Sequence, residues 1–238
     1  MSFSDDVRSA FRRGETDAVV AMSRAEIDRA RAAGDLAGEV EARYSLARVA
    51  LRGGDLAGAA ARAQEALAVA LRSGDRALPE RPRHVLAAVT RMSGDLTRAR
   101  ELYLENIALN ESLGRPEVVN SERHNLAFCE LGLGNLDAAR DLWAASRERV
   151  FREGWDDFVP YVCVAGAALA SAEGDQHRAA RMVGLADAAF AALGQVPDPD
   201  DAAELAAVRT AAVHAIGEAR FTQEYAQGQH LDPRAAFA

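Results

Sequence analysis

Residues 125–143 read NLAFCELGLGNLDAARDLW, two helix-forming runs on either side of Gly134-Asn135. A glycine turn that opens a helix can cradle a phosphate, or it can simply reverse the chain. The surrounding sequence decides between them. Glycine recurs at Gly14, Gly34, Gly54, Gly74, Gly94, Gly114, Gly134, Gly154, Gly174 and Gly194, twenty residues apart without a gap. A period kept this strictly is a structural repeat, and the glycines are its punctuation. Glycine takes the left-handed conformation at the end of one helix. The next residue is a helix capper at Asp35, Asp55, Asp75, Asp95, Asn135 and Asp175. Its side chain is expected to accept from the first free N–H groups of the following helix. A two-residue junction joins antiparallel helices, each of about 17 residues or ~25 Å.

The twenty-residue units alternate between two kinds, so the full repeat is forty. In the first helix of each pair SLA at 45–47, VLA at 85–87 and NLA at 125–127 align. In the second, the fifth residue after the glycine is Val19, Ala59, Ala99, Ala139 or Ala179, and four further on stand Ser23, Ala63, Tyr103, Trp143 and Val183. A small residue lets two helices approach, and an aromatic fills the space toward the next pair. Leu126, Ala127, Ala139 and Trp143, and likewise Leu86, Ala87, Ala99 and Tyr103, resemble the tetratricopeptide-repeat pattern. The period of forty rather than thirty-four is nearer the longer-helix variant of MalT-like bacterial regulators. The resemblance implies an all-α fold: a right-handed α-solenoid of about five antiparallel helix pairs with a C-terminal helical cap. The expected layout is a single domain over 1–238, with an N-terminal helix pair at 1–33, four repeats at 34–193 and capping helices at 194–238. The pair after Gly154 is degenerate, with Gly166 in place of leucine, Cys163 in place of a recurring arginine, and Pro160 confined to the first turn of its helix. After Gly194 the register breaks at VPDPDD, and segments near 200–216 and 218–228 read as a polar-faced cap, as solenoids require.

A second resemblance covers the chain from Gly174 onward. GDQHRAARMVGLADA, the proline-containing break, and AIGEARFTQEYAQGQHLDPRAA look like the end of the helical-repeat region of LuxR-type and antibiotic-regulator signal-transduction ATPases. In those regulators the repeats sense a ligand or partner while other domains bind ATP and DNA. No GxxxxGK motif is present here, because the chain contains no lysine; all 28 basic residues are arginine. No separate basic helix-turn-helix is legible. The resemblance therefore implies a sensor or scaffold module, either a short protein, which Met1 and the polar start favour, or part of a longer regulator. The arginine and alanine bias reads as that of a GC-rich bacterial genome, and it favours helix as well.

The net charge of −8 argues against nucleic acid or a membrane surface as the main partner. No apolar run approaches the ~18 residues of a membrane span, and MSFSDDVRSAFRRGE has no apolar signal core, so a cytoplasmic protein is expected. Cys129 and Cys163 fit neither a zinc nor a CxxC pattern and read as buried, reduced thiols. Neither GxSxG nor HExxH occurs. No catalytic residue, metal site or cofactor is assigned.

What remains is a binding surface. His84 and His124 occupy the same place in consecutive first helices, flanked in register by Tyr44 and Val164. In tetratricopeptide proteins that position faces the concave groove. The row Tyr44, His84, His124 is either a peptide-contacting ladder or the by-product of repeat duplication. Arg43, Arg83 and Arg123, one residue earlier, either lay their stems on apolar surface beside a carboxylate or bind carboxylates. One turn onward, Arg48, Ala88, Phe128 and Ala168, then Leu51, Arg91, Leu131 and Ser171, are expected along the same wall. The candidate partner-binding set is Tyr44, Arg48, His84, Arg91, His124, Phe128 and Tyr161, with Phe128 and Tyr161 as anchors unless Phe128 is core. The leading reading is a non-catalytic module, monomer or homodimer, that binds a peptide or protein segment. A small-molecule sensor and a self-assembling scaffold are the alternatives.

Overall fold

All ten glycines of the ladder have positive φ, between 62° and 90°, in the computed structural model, which describes residues 2–236. At Gly134 nothing lies within 4 Å of the place a Cβ would take, so the dihedral, not space, demands glycine. The Gly134 N–H donates to the Leu131 carbonyl at 3.0 Å and the Asn135 N–H to the Glu130 carbonyl at 2.8 Å. This pair of bonds satisfies carbonyls that a helix end leaves open. The same pair recurs at Gly14, Gly54, Gly94 and Gly174.

The ladder punctuates an all-helical chain, with no strand among the described residues. The chain forms two compact units, Met1–Glu122 and Arg123–Ala238. The first holds α1 (Phe3–Arg12), α2 (Thr16–Ala33), α3 (Leu36–Arg52), α4 (Leu56–Arg72), α5 (Glu80–Met92), α6 (Leu96–Ser112) and the start of α7 (Pro116–Gly132). The second holds the rest of α7, then α8 (Leu136–Glu153), α9 (Val159–Ala172), α10 (Gln176–Ala192), α11 (Pro199–Ile216), α12 (Glu218–Gly228) and α13 (Pro233–Ala236). In the first unit each helix from α1 to α6 packs on the next, and α3 touches both α1 and α5, the same-type helices of the neighbouring pairs. That second-neighbour contact is what stacks a repeat.

The small-residue positions form the seam. Val19, Ala59, Ala99 and Ala179 are 0% exposed and Ala139 2%. Tyr103 is fully buried, and Trp143 is 7% exposed with its indole N–H donating to the Val162 carbonyl of α9 at 3.0 Å. The aromatic thus reaches the next helix pair, as its place in the repeat predicts. Cys129 and Cys163 are buried and form no disulfide, and burial pushes the Cys163 thiol up to about 12. No described helix is long and apolar enough to cross a membrane.

The capping pattern needs two corrections. Asp35, Asp55, Asp95 and Asp175 do accept from the backbone N–H three residues on. Asn135 does not: its amide donates to the Glu130 carboxylate at 2.6 Å. Glu130 is 4% exposed, and a bond to a buried charge outweighs a neutral cap. Asp75 caps no helix either. It accepts from Ala77 N–H at 2.8 Å, and α5 starts late, at Glu80. Pro79 biases Leu78 away from helical backbone, which leaves 76–79 as a turn and α5 with 13 residues.

In the second unit, α10 and α12 pack closely through Gly184 and Gly228. A Cβ on Gly184 would stand 2.1 Å from the Tyr225 carbonyl oxygen, and one on Gly228 1.9 Å from that of Arg181. Around this contact the buried Glu224 accepts from Arg181 at 2.5 Å, with His177 and Arg220 each at 3.0 Å. Asp187 accepts from Arg209 at 2.9 Å and from the Tyr225 hydroxyl at 2.8 Å. The segments HRAARMVGLAD and ARFTQEYAQG are thus two halves of one helix–helix joint.

Candidate functional site

The forty-residue period brings equivalent positions of successive repeats together, and in the first unit they line an open cavity of about 690 Å³. Asp35, Asp75 and Arg115 share one register position, and Gly38, Leu78 and Val118 another. Val40 and Glu80 share a third, and Glu41 and Arg81 a fourth. The start of α1 closes one side with Phe3 and Ser4. The lining therefore comes mainly from the entry turns of α3, α5 and α7, three to nine residues ahead of the row Tyr44, His84, His124, with Glu26 and Arg29 of α2.

Most charges on this wall are already paired. Arg29 bonds Glu26 at 2.5 Å and Asp35 at 2.6 Å. Arg81 bonds Glu41, which also accepts from Ser4 Oγ at 3.3 Å. Glu80 differs: it is 5% exposed, yet among the described residues its carboxylate meets no hydrogen-bond or ion-pair partner. Burial raises its pKa, Glu122 adds to the rise, and His84, Arg81 and Arg115 oppose it.

None of the first-unit members of the expected set lines this cavity; Tyr44 neighbours it through Arg81, and His84 through Glu80. Tyr44 is half-buried, with the guanidiniums of Arg81 and Arg48 over its ring at 5.5 and 5.6 Å. Burial raises its phenol pKa. Arg48 lies 3.7 Å over the Phe11 ring. His84 keeps 24% of its side chain exposed; its Nδ1 is 2.9 Å from Oε1 of the fully buried Glu122, and its ring meets Tyr103 edge-on. Arg91 is 5% exposed and does not present itself to a partner. Arg43 is largely buried with its guanidinium on Glu39 and Glu65, the paired arrangement at this first member of its row.

In the second unit the cap has taken the expected contact surface. His124 is 6% exposed, and its Nε2 lies 2.7 Å from Asp201 Oδ1 at the start of α11. The rings of Phe128 and Tyr161 meet His124 edge-on at 4.9 and 5.8 Å. Phe128 is 4% exposed within the apolar cluster of this unit, so it is core. Tyr161 packs on Phe190 and directs its hydroxyl toward Asp198 at 3.4 Å. The VPDPDD break thus supplies carboxylates that dock the cap, which the sequence pattern did not disclose.

This clasp gives a pH prediction. Burial pushes Asp201 up to about 6, His124 opposes the rise, and Asp200 and Asp198 add to it. A carboxyl whose folded pKa lies above its ordinary 3.8 contributes stability that is complete below that value and lost as pH rises through about 6. The melting temperature of the parent minus that of Asp201→Asn should therefore fall between about pH 4 and pH 6 and then level off. A difference that grows with pH would mean that Asp201 is ionised throughout.

No group of three or more His, Cys, Asp or Glu side chains that could hold a metal occurs among the described residues. No protein-family model and no curated protein matches the chain. Among solved structures, BtubC (BKLC) from P. vanneervenii superposes with a TM-score of 0.59 at 22% identity, over 93% of this chain and 92% of that one. A putative kinesin light chain of Podospora anserina with nearly identical TPR-like repeats gives 0.48 at 17% identity, over 89% and 93%. The fold is a tetratricopeptide-like helical repeat.

Proposed function

We propose that this chain is a non-catalytic interaction module that binds a peptide segment in the cavity of its first unit. The observation that carries this reading is the construction of the cavity: equivalent positions of three successive repeats form one wall. A wall that repeats along a stacked fold suits an extended chain, whose side chains also recur at intervals. A volume of about 690 Å³ holds a few residues of such a segment. The half-buried Tyr44, Arg48 and His84 border the same region and extend the contact surface. Tyr161 remains a candidate contact in the second unit. The layout of an N-terminal pair at 1–33, repeats at 34–193 and a cap at 194–238 belongs to this reading. So do a cytoplasmic setting in transcriptional or signalling regulation, which rests on the resemblance of the C-terminal segment, and a monomeric or homodimeric state.

The test is selection of a displayed random dodecapeptide library on the immobilised full chain, followed by binding measurements on Val118→Trp and Ala77→Trp. Both substitutions fill the cavity, from α7 and from the turn before α5. Selected peptides should bind the parent and lose at least about tenfold on a correctly folded blocked variant. Equal binding to parent and blocked variants would place the site elsewhere.

A further inference from the structure

Glu80 breaks the rule of its own repeat. The equivalent position is Val40 in α3, 2% exposed, and Asn120 in α7, also 2% exposed. The position is built to be buried, and α5 puts a carboxylate there. An acidic residue in a first helical turn gains about 0.3–1 kcal/mol from the helix dipole. That is less than the several kcal/mol that burying an unpaired charge costs. A carboxylate 5% exposed, lining a cavity and without a hydrogen-bond or ion-pair partner among the described residues, awaits a cation.

The rest of the wall is consistent with this. The lining carries five carboxylates against three guanidiniums. Arg29 and Arg81 already hold carboxylates, and Arg115 is exposed. Glu122, behind Glu80, adds negative potential, with one oxygen on His84 and the other without a partner. Phe3, Leu78 and Val118 supply apolar surface for an aliphatic stem. An arginine or lysine side chain joins these two properties in one group.

Resting on the peptide-binding reading, we propose that the cavity selects an extended peptide by a basic side chain whose cationic head bonds the Glu80 carboxylate. The overall charge of −8 favours the approach of such a segment. Glu80 is a specificity residue in this scheme, and Arg115 is a repulsive neighbour that limits affinity.

The test uses the full chain and four end-blocked, fluorescein-labelled hexapeptide pools, with arginine, lysine, citrulline or glutamate fixed at the third position and the others randomised. Fluorescence polarisation should show the arginine and lysine pools binding at least about tenfold tighter than the citrulline and glutamate pools. Glu80→Gln should erase that preference, and because it removes a buried unpaired charge, the variant should melt no lower than the parent. Arg115→Gln should tighten the basic pools by roughly two- to fivefold. If the citrulline or glutamate pool binds as well as the basic ones, and Val118→Trp still blocks it, the charge assignment is wrong while peptide binding stands. If no pool binds but agmatine alone raises the melting temperature of the parent and not of Glu80→Gln, the occupant is a small amine and both readings fail. If neither pools nor agmatine bind, both fail as well.

Discussion

Gly184→Ala should undock α12 and lower the melting temperature by about 10 °C. The added methyl would stand 2.1 Å from the Tyr225 carbonyl oxygen and 3.0 Å from its carbon, atoms of a helix backbone that no rotamer change can move aside. Relief requires α10 and α12 to separate, and separation exposes Phe221, 4% exposed, and Glu224, 2% exposed. Overpacking of a tight seam costs typically 1–3 kcal/mol, and exposing a phenylalanine adds about 1.5–3. About 3 kcal/mol in total corresponds to roughly 10 °C for a chain of this size. Gly228→Ala should do the same from the other side, its methyl meeting the Arg181 carbonyl at 1.9 Å. The double variant should lose less than the sum, since both wedge one joint. Hydrogen exchange should accelerate across Glu218–Gly228 in each. Gly53→Ala is the control: its φ is −77° and its nearest contacts are 3.5 Å away, so alanine there should be neutral or stabilising by up to about 1 kcal/mol. A Gly184→Ala melt within a degree of the parent would refute the close packing.

Trp143→Ala should cost about 3–5 kcal/mol, the usual range for emptying a buried aromatic site. The side chain is 7% exposed, its ring belongs to the apolar cluster of the second unit, and the Arg147 guanidinium lies 5.0 Å from it. Its indole N–H also fills a carbonyl of α9, at Val162. Trp143→Phe separates the two contributions. It keeps most of the apolar volume and leaves the Val162 carbonyl one bond short, so it should cost about 1–2 kcal/mol. Chemical denaturation followed by far-UV circular dichroism reads both. Equal losses for Phe and Ala would mean that the hydrogen bond, not packing, holds α8 to α9.

These two positions differ in how visible they were. Trp143 stands in the repeat register, four residues beyond Ala139, so its burial could be read from spacing. Gly184 and Gly228 lie off the twenty-residue ladder, in the interior and at the last residue of their helices. A glycine inside a helix costs about 1 kcal/mol against alanine and often marks a close approach, but a sequence does not say which backbone approaches. The wall of the proposed binding cavity was half legible in the same way. The forty-residue period correctly says that equivalent positions gather, and Tyr44 and His84 lie near the cavity. The period read a few residues earlier would have singled out Glu80, the acid between Val40 and Asn120.

Local and periodic interactions set the punctuation, the helix type and the alanine seam. Left-handed glycines, caps and a period of forty depend only on residues close in sequence or in register, so one chain suffices to read them. The fates of His124, Phe128 and Asp75 depend on residues outside that register. His124 and Phe128 look like groove residues until Asp201, 77 positions later, arrives with the cap and seals them. Asp75 looks like a cap until Pro79 delays the helix. Burial of a polar group is settled by whatever distant segment packs over it, and periodicity carries no information about a segment that has left the repeat.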